Sequence, residues 1–133
     1  MSHLMKITDA AGQMLVRGAS RIDGRLGWIE IIAVNWVHTG NSTNLKHINA
    51  VRITKARDNA SIWLARKTFG DSNLDPVKIT IEMYLGNGVT QTFVLIDALF
   101  DRMSAADSSS GPVEEYEVSF KRMSTGYASV TSA

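Results

Sequence analysis

Three stretches of the chain alternate between apolar and polar residues, which is typical of strands with one buried and one solvent-facing side. In residues 77–85 the apolar face consists of Val77, Ile79, Ile81, Met83 and Leu85. In residues 113–123 it consists of Tyr116, Val118 and Phe120, with Glu115, Glu117 and Lys121 on the other face. A shorter segment, residues 51–55, places Val51 and Ile53 on one side. The pattern predicts three half-buried strands.

Two further stretches, residues 28–37 and 91–100, are apolar on both sides and rich in β-branched and aromatic residues. A sheet with one solvent-exposed face does not explain such strands, because both faces are apolar and each has to be covered. We expect that cover to be the helix or a neighbouring subunit, since surplus apolar surface usually marks a partner.

Residues 58–69 predict the only helix. Asp58 or Asn59 can cap its first turn, and Gly70 follows its last turn. At 100° per residue, the predicted core face consists of Ile62, Ala65 and Phe69, with Leu64 at its margin. Trp63 is expected to point away from that face.

The remaining segments predict turns and loops around antiparallel strands. They are a hairpin in residues 5–19, a polar loop in 38–47, a tight turn at 86–88, a serine-rich loop in 101–111 and a flexible tail after 123. The predicted fold is an antiparallel β-barrel or sandwich with one flanking α-helix. We expect residues 1–133 to form a single domain, with a core of about 6–123 and flexible ends.

The composition argues against several kinds of site and partner. The chain of 133 residues has no cysteine and a net charge of +1, from 14 basic and 13 acidic residues. Disulfides and thiolate sites are therefore excluded, and nucleic-acid binding by charge alone is not expected. The start shows no apolar signal-peptide core, and we find no apolar run of membrane-spanning length.

No constellation of residues predicts catalysis, a metal or a cofactor. Histidine occurs at His3, His38 and His47, too few for a closed zinc site without carboxylates. The acidic cluster of Glu114, Glu115 and Glu117 fits an exposed or subunit-contacting strand better than an acid–base pair. We therefore expect a protein that is not an enzyme.

Residues 16–20, followed by Gly27-Trp28-Ile29-Glu30-Ile31, are similar to the opening strand, loop and G-x-I-E-V strand of the haemolysin-coregulated protein (Hcp) family of type VI secretion. Residues 53–64 resemble its T-K-x-x-D-x-x-S-P-x-L helix start, with Asp58 and Ser61 at matching positions and Ile62 in place of proline. Residues 113–120 are similar to its last core strand. The resemblance runs from about residue 6 to 123, and the loop 38–47 is shorter than in many members.

The resemblance implies a structural subunit that forms hexameric rings, stacked into a tube that carries effectors in its lumen. It implies self-association and contact with a spike protein, sheath subunits and secreted effectors, without nucleic acid or membrane insertion. The protein would assemble in the bacterial cytoplasm and then be secreted without a signal peptide.

Residue roles follow from the same resemblance and from the two-faced strands. The subunit-interface candidates are Trp28, Ile29, Ile31, Trp36, His38, His47, Trp63, Phe100, Glu115 and Glu117. Ser104 is the candidate for contact with lumen cargo, and Asp58 and Ser61 are structural residues at the helix start. Two alternatives stay open, a phage-type tail-tube protein and a monomeric β-barrel that binds a small ligand, and an enzyme ranks last.

Overall fold

The computed structural model describes residues 3–38, 48–70, 75–86, 88–109 and 111–129. Within these residues the chain forms strands β1 (His3–Thr8), β2 (Ile29–Ile31), β3 (Ala33–His38), β4 (Ile48–Ala56), β5 (Val77–Gly86), β6 (Val89–Ser108), β7 (Gly111–Ser119) and β8 (Arg122–Ser129). One helix, α1 (Ser61–Phe69), connects β4 to β5. The prediction of a mainly β protein with one helix is confirmed.

All strand pairs are antiparallel, in the order β2-β1-β5-β6-β7-β4-β3, and β8 pairs with β6 outside this path. The strands at the two ends of the order, β2 and β3, are consecutive and separated only by Ile32, whose amide donates to the carbonyl of Thr54 at 2.7 Å. The ladder itself is open because the described β2 and β3 do not pair. Its ends nevertheless meet on one chain segment, so the sheet is rolled around a single core.

The core is built from the apolar sides that alternation predicted. Val77, Ile79 and Ile81 of β5 are buried, as are Tyr116 and Val118 of β7. Other core residues are Met5, Ile7, Val51, Ile53, Leu64, Leu95 and Phe120. The face assignments of these strands are confirmed, except that Leu85 at the end of β5 is exposed.

The first two-faced stretch changes phase at Ile32. Ile29 and Ile31 have 0% exposure, whereas Ile32 is 53% exposed. After this break, Val34 and Trp36 pack against the core. A one-residue slip moves a strand's side chains to the opposite face, so odd positions point inward before Ile32 and even positions after it.

The second two-faced stretch changes phase at Asp97, which has a positive φ of 55°. Phe93 and Leu95 are buried before it, and Ala98 and Phe100 after it. In the β5–β6 ladder the register also shifts at this point, which is the signature of a β-bulge. Most large apolar residues of both stretches therefore serve one core in succession. A smaller apolar set lies outside it, because Ile32 is 53% exposed and Val94, Ile96 and Leu99 are half-buried, so the surplus apolar face is smaller than expected.

Two segments predicted as loop and tail are strands. β6 continues through the serine-rich segment to Ser108, and β8 runs past Met123 to Ser129. Both are polar, and backbone pairing holds them: β6 pairs first with β8 and then with β7 along its length. The predicted return strand in residues 13–17 is reduced to one bridge between Thr8 and Met14.

Helix α1 begins later and is rotated from the predicted orientation. It starts at Ser61, and its N-cap residue, Ala60, makes no side-chain cap hydrogen bond. Leu64 has 0% exposure, whereas Ile62 and Phe69 are each 67% exposed. Trp63 is partly buried and packs edge-on against Phe100, with ring centroids 6.5 Å apart. The apolar spacing misled the prediction because a short helix with a buried lysine and threonine has no single apolar stripe.

Two predicted loops are only partly described. Residues 39–47, including His47, lie outside the described residues, and so does Asn87 in the turn between β5 and β6. The glycines that flank Asn87 have φ values of 86° and 71°, as a tight hairpin turn requires.

We predict opposite responses to substitution at Asp97 and at Asp107, an exposed β6 residue in a regular part of the ladder to β7. Asp97→Gly should keep or raise stability, and Asp97→Val should lower it by about 1–2 kcal/mol, because a β-branched residue is strained at positive φ. At Asp107, glycine should be the destabilising choice, by roughly 0.5–1 kcal/mol. Urea unfolding of the four variants measures this, and equal effects of valine at both sites would contradict the bulge.

Candidate functional site

A lysine with 0% exposure is the centre of a buried polar cluster. The ammonium group of Lys55 donates to Asp58 Oδ1 at 2.8 Å, to the carbonyl of Ala56 at 2.9 Å, and to Ser61 Oγ and Glu114 Oε1 at 3.3 Å each. Burying a charge is tolerated only when it is paired and hydrogen-bonded. This lysine meets both conditions.

Glu114 is the shared acceptor of the cluster. Its Oε1 atom accepts hydrogen bonds from Ser61 Oγ at 2.9 Å and Tyr116 Oη at 3.0 Å, besides that from Lys55. Burial, followed by the hydrogen bond to Glu114, raises the pKa of the Tyr116 phenol, so this group stays protonated as a donor. The cluster joins β4 and β7 to the start of α1.

Asp58 and Ser61 also hold the backbone before α1. Asp58 Oδ1 accepts from the amide of Ala60 at 2.9 Å, and Ser61 Oγ accepts from the amide of Asp58 at 3.0 Å. These bonds satisfy amide groups at the helix start, as capping side chains do. The T-K-x-x-D-x-x-S motif therefore has a structural role in this chain: its polar side chains hold the backbone at the start of α1.

A second cluster attaches the long loop between β1 and β2 to the sheet. The guanidinium of Arg25 donates to both carboxylate oxygens of Glu82, at 2.6 and 2.8 Å, and these hydrogen bonds raise the pKa of Arg25. Arg25 also lies over the ring of Trp28 at 5.0 Å, and the Lys6 ammonium lies over the same ring at 5.1 Å. Burial, then the Glu82 charge, raises the pKa of Tyr84 beside it. Sequence reasoning missed this cluster, because its members lie far apart in the chain.

Three predicted site residues meet on the outer face of the sheet. Ser104, Glu115 and Glu117 line a cleft of about 270 Å³ together with Arg52, Arg102 and Met103. In the ladders, Glu117 lies opposite both Arg52 and Arg102, and Glu115 lies opposite Ser104. This polar face points away from the core, and the pattern of β7 alone was enough to orient its two glutamates.

Four interface candidates are buried inside the subunit. Ile29 and Ile31 have 0% exposure, Phe100 2% and Trp28 7%. The phase shift at Ile32 and the bulge at Asp97 place Ile29, Ile31 and Phe100 in the core, whereas Trp28 lies outside that cluster and is covered by Lys6 and Arg25. Their contact with a neighbouring subunit stays a prediction. Trp36 is also partly buried, with its ring 4.7 Å from that of Phe93.

Within the described residues, two strand edges along β6 and its partner β8 are open, besides those of β2 and β3 at the ends of the ladder. β6 pairs with β5 only as far as Ala98, so residues 99–108 have a ladder on one edge, to β7. β8 pairs with β6, and no other described strand pairs with its outer edge. Since β7 and β8 follow one another along β6, these two open edges lie at opposite ends of one long ribbon.

The described residues contain no group of three or more histidine, cysteine, aspartate or glutamate side chains that could hold a metal ion. Among the same residues, no helix is both long and apolar enough to cross a membrane.

The model of one protein family, described as "Type VI secretion system effector, Hcp", matches residues 4–127. The chain belongs to the Hcp family. It is therefore a subunit of the type VI secretion tube, as the resemblance implied, and the family is one of structural tube proteins. A search of curated proteins found no match.

Solved Hcp structures share the fold at low sequence identity. A mutant of Hcp1 from E. coli EAEC 042 superposes with a TM-score of 0.73 and 12% identity, over 98% of this chain and 100% of that chain. Hcp2 from Salmonella typhimurium gives 0.69 and 16%, over 97% and 95%. The secreted protein Hcp3 from Pseudomonas aeruginosa gives 0.66 and 18%, over 98% and 99%.

A chain of the anti-feeding prophage baseplate also shares the fold. It superposes with a TM-score of 0.54 and 11% identity, over 93% of this chain and 91% of that chain.

We predict that Lys55→Met lowers the free energy of unfolding by about 3 kcal/mol, because it leaves buried Glu114 without its buried cation and with only the exposed Arg57, 3.8 Å from its Oε2 atom. Arg52→Met, at a half-exposed surface pair on the same strand, should change it by less than about 1 kcal/mol. Adding Glu114→Gln to Lys55→Met should recover part of the loss. Chemical unfolding measures the stability of all three variants, and equal effects at positions 52 and 55 would contradict the stabilising role of the buried cluster.

We predict that Arg25→Met loosens the loop between β1 and β2 without unfolding the sheet. The substitution removes both bonds to Glu82 and one cation over Trp28, so amides in residues 18–27 should exchange faster with solvent. Hydrogen exchange followed by mass spectrometry measures this, with Arg21→Met on the same loop as control. Unchanged exchange in residues 18–27 would mean that the loop is held elsewhere.

Proposed function

We propose that this Hcp subunit forms hexameric rings by head-to-tail pairing of its two open edges, residues 99–108 of β6 in one copy with β8 of the next. The observation that carries the proposal is the pair of open edges on one ribbon. An unpaired edge offers a row of amide and carbonyl groups to another strand. Two different edges that pair head to tail generate a closed ring when the rotation closes.

The charges of the two edges support this pairing. Residues 99–108 contain Asp101, Arg102 and Asp107, whereas β8 begins at Arg122, directly after Lys121. The first edge is net acidic and the second net basic, and such complementarity favours contact between the two edges over contact of either edge with itself. Both strands are too polar to aggregate through apolar contacts.

The polar face with Ser104, Glu115 and Glu117 then lines the channel. Six copies joined through β6 and β8 continue one sheet around the ring, and this outer face, which carries no described covering element, faces the lumen. Trp63, Trp36, His38 and His47 are the proposed contacts with the neighbouring copy. Glu115 and Glu117 are reassigned to the lumen wall.

The proposed partners are those of a type VI tube: further rings above and below, a spike protein, sheath subunits outside, and effectors within. The protein would act without cofactor, nucleic acid or membrane insertion, and would be exported from the bacterial cytoplasm. The likeness to a prophage baseplate supports a phage-type tail tube as the second candidate, which has the same ring geometry.

We predict that blocking either edge abolishes rings, and that mixing the two blocked variants yields dimers. Proline at Ala105 or Ala106 blocks β6, and proline at Ser124 or Thr125 blocks β8. Two successive positions are tried because amides alternate between the edges of a strand, and only one of each pair points outward. A β6-blocked copy keeps its β8 edge, so it should bind one β8-blocked copy and stop there.

Light scattering after size-exclusion chromatography measures the masses, and circular dichroism confirms that each variant is folded. The wild type should show about six times the subunit mass, and negative-stain images an annulus. Val113→Pro, on β7, which is paired on both edges, is the control for general disruption of the sheet. A wild-type monomer, or a blocked variant that still forms rings, would defeat the proposal.

A further inference from the structure

A row of charged side chains crosses three adjacent strands on the polar outer face. Arg52 Nε donates to Glu117 Oε1 at 3.2 Å, and Arg102 Nε lies 4.0 Å from Glu117 Oε2. Glu117 is 24% exposed at its side chain, Arg52 52% and Arg102 83%. One carboxylate therefore stands between two guanidiniums and is shared unequally.

Arg102 keeps hydrogen-bonding capacity that its partner does not use. A separation of 4.0 Å is too long for a hydrogen bond, so among the described residues the Arg102 guanidinium has only a loose ion pair. Its planar fork matches a carboxylate that binds through both oxygens. The side chain is thus positioned by the sheet but open to an acidic ligand group.

The next row along the same face has an excess of negative charge. It contains Glu115, with Ser104 opposite on β6 and Thr54 opposite on β4. Glu115 is exposed, and within the part of the chain that the structure describes it forms no ion pair. Arg102 on β6 and Glu115 on β7 are diagonal neighbours across these two rows, a position that separates residues by about 7–8 Å, so the unsatisfied positive and negative charges have a defined spacing.

We propose that this cleft binds an extended peptide segment that carries one acidic and one basic side chain two residues apart. The acidic group lies over Arg102 and the basic group over Glu115, since side chains two apart in an extended segment have the same spacing as the two rows. The Ser104 hydroxyl, in the row of Glu115, supplies a further hydrogen-bonding group. This inference rests on the proposed function for its biological meaning: the segment would belong to a protein carried in the tube.

The charge balance argues against other ligand classes. The cleft holds two arginines and two glutamates, so a polyanion such as a nucleic-acid backbone gains little and meets both carboxylates. A purely basic segment is repelled by Arg102, and a purely acidic one by Glu115. A mixed segment is the complement, and repetition around a ring would strengthen a contact that is weak in a single copy.

The test uses the full chain and three synthetic peptides of equal length, with acid and base, two acids, or two bases at positions two residues apart. Amide chemical shifts or fluorescence anisotropy at low salt measure their affinities. The mixed peptide should bind tightest, and Arg102→Glu should weaken it about threefold or more, as expected for an exposed ion pair that is reversed. Arg21→Glu, the same charge change on the loop between β1 and β2, should have no effect.

A double variant makes the test specific for the pair of rows. Arg102→Glu with Glu115→Arg exchanges the two charges and should bind the mixed peptide as the wild type does, because an extended peptide can lie in either direction. Arg102→Glu alone should instead prefer the peptide with two bases. Equal binding of all three peptides by the wild type, or the same preference in every variant, would overturn the inference.

The β8-blocked monomer separates this result from ring formation. If it binds the mixed peptide selectively although the wild type forms no rings, the site stands and the proposed assembly fails. If rings form but neither ring nor monomer distinguishes the peptides, the assembly stands and the site is refuted.

Discussion

The structure depends on one geometric constraint: a strand presents alternate side chains to opposite faces, and a long strand that bends around a core must change phase to keep its apolar side inward. The chain meets this constraint with single-residue shifts, chiefly at Ile32 and Asp97 and again at Asp101 in β6. Because of the first shift, one segment supplies both β2 and β3, at the two ends of the ladder. Because of the second, β6 pairs with β5 in its first half and extends beyond it in its second. The rolled sheet and its single core follow from these two positions.

The same bend creates the open edges. β6 leaves β5 after Ala98 but keeps its partner on the other side, so its second half has one free edge, and β8 has another at the far end of the ribbon. The need for a neighbour therefore arises from backbone hydrogen-bonding groups on polar strands. Apolar surface contributes less than the two-faced strands suggested, because most of their large side chains, apart from the exposed Ile32, are buried or half-buried within the subunit.

The buried cluster around Lys55 shows how a polar interior is made tolerable. Lys55 and Glu114 are each at most 3% exposed, and Asp58, Ser61, Tyr116 and a backbone carbonyl complete their hydrogen bonds. No buried side-chain nitrogen or oxygen atom of the described residues lacks a partner. Such a cluster adds little net stability compared with apolar packing, but its hydrogen bonds connect the start of α1 to β4 and β7.

The sequence by itself determined the β class, the existence of one helix, the inward faces of β4, β5 and β7, and the family, because alternation and motif spacing are local properties of the chain. It also brought Asp58 and Ser61 forward, but not Glu114 as a partner of Ser61, since residues 53 positions apart meet only after folding. Tertiary structure alone decided the phase shifts at Ile32 and Asp97, the strand state of the polar residues 101–108 and 122–129, and the exposed Ile62 and Phe69. In each case a long-range ladder or the shape of the core outweighed the local pattern, because backbone pairing and burial act between segments that the sequence keeps apart.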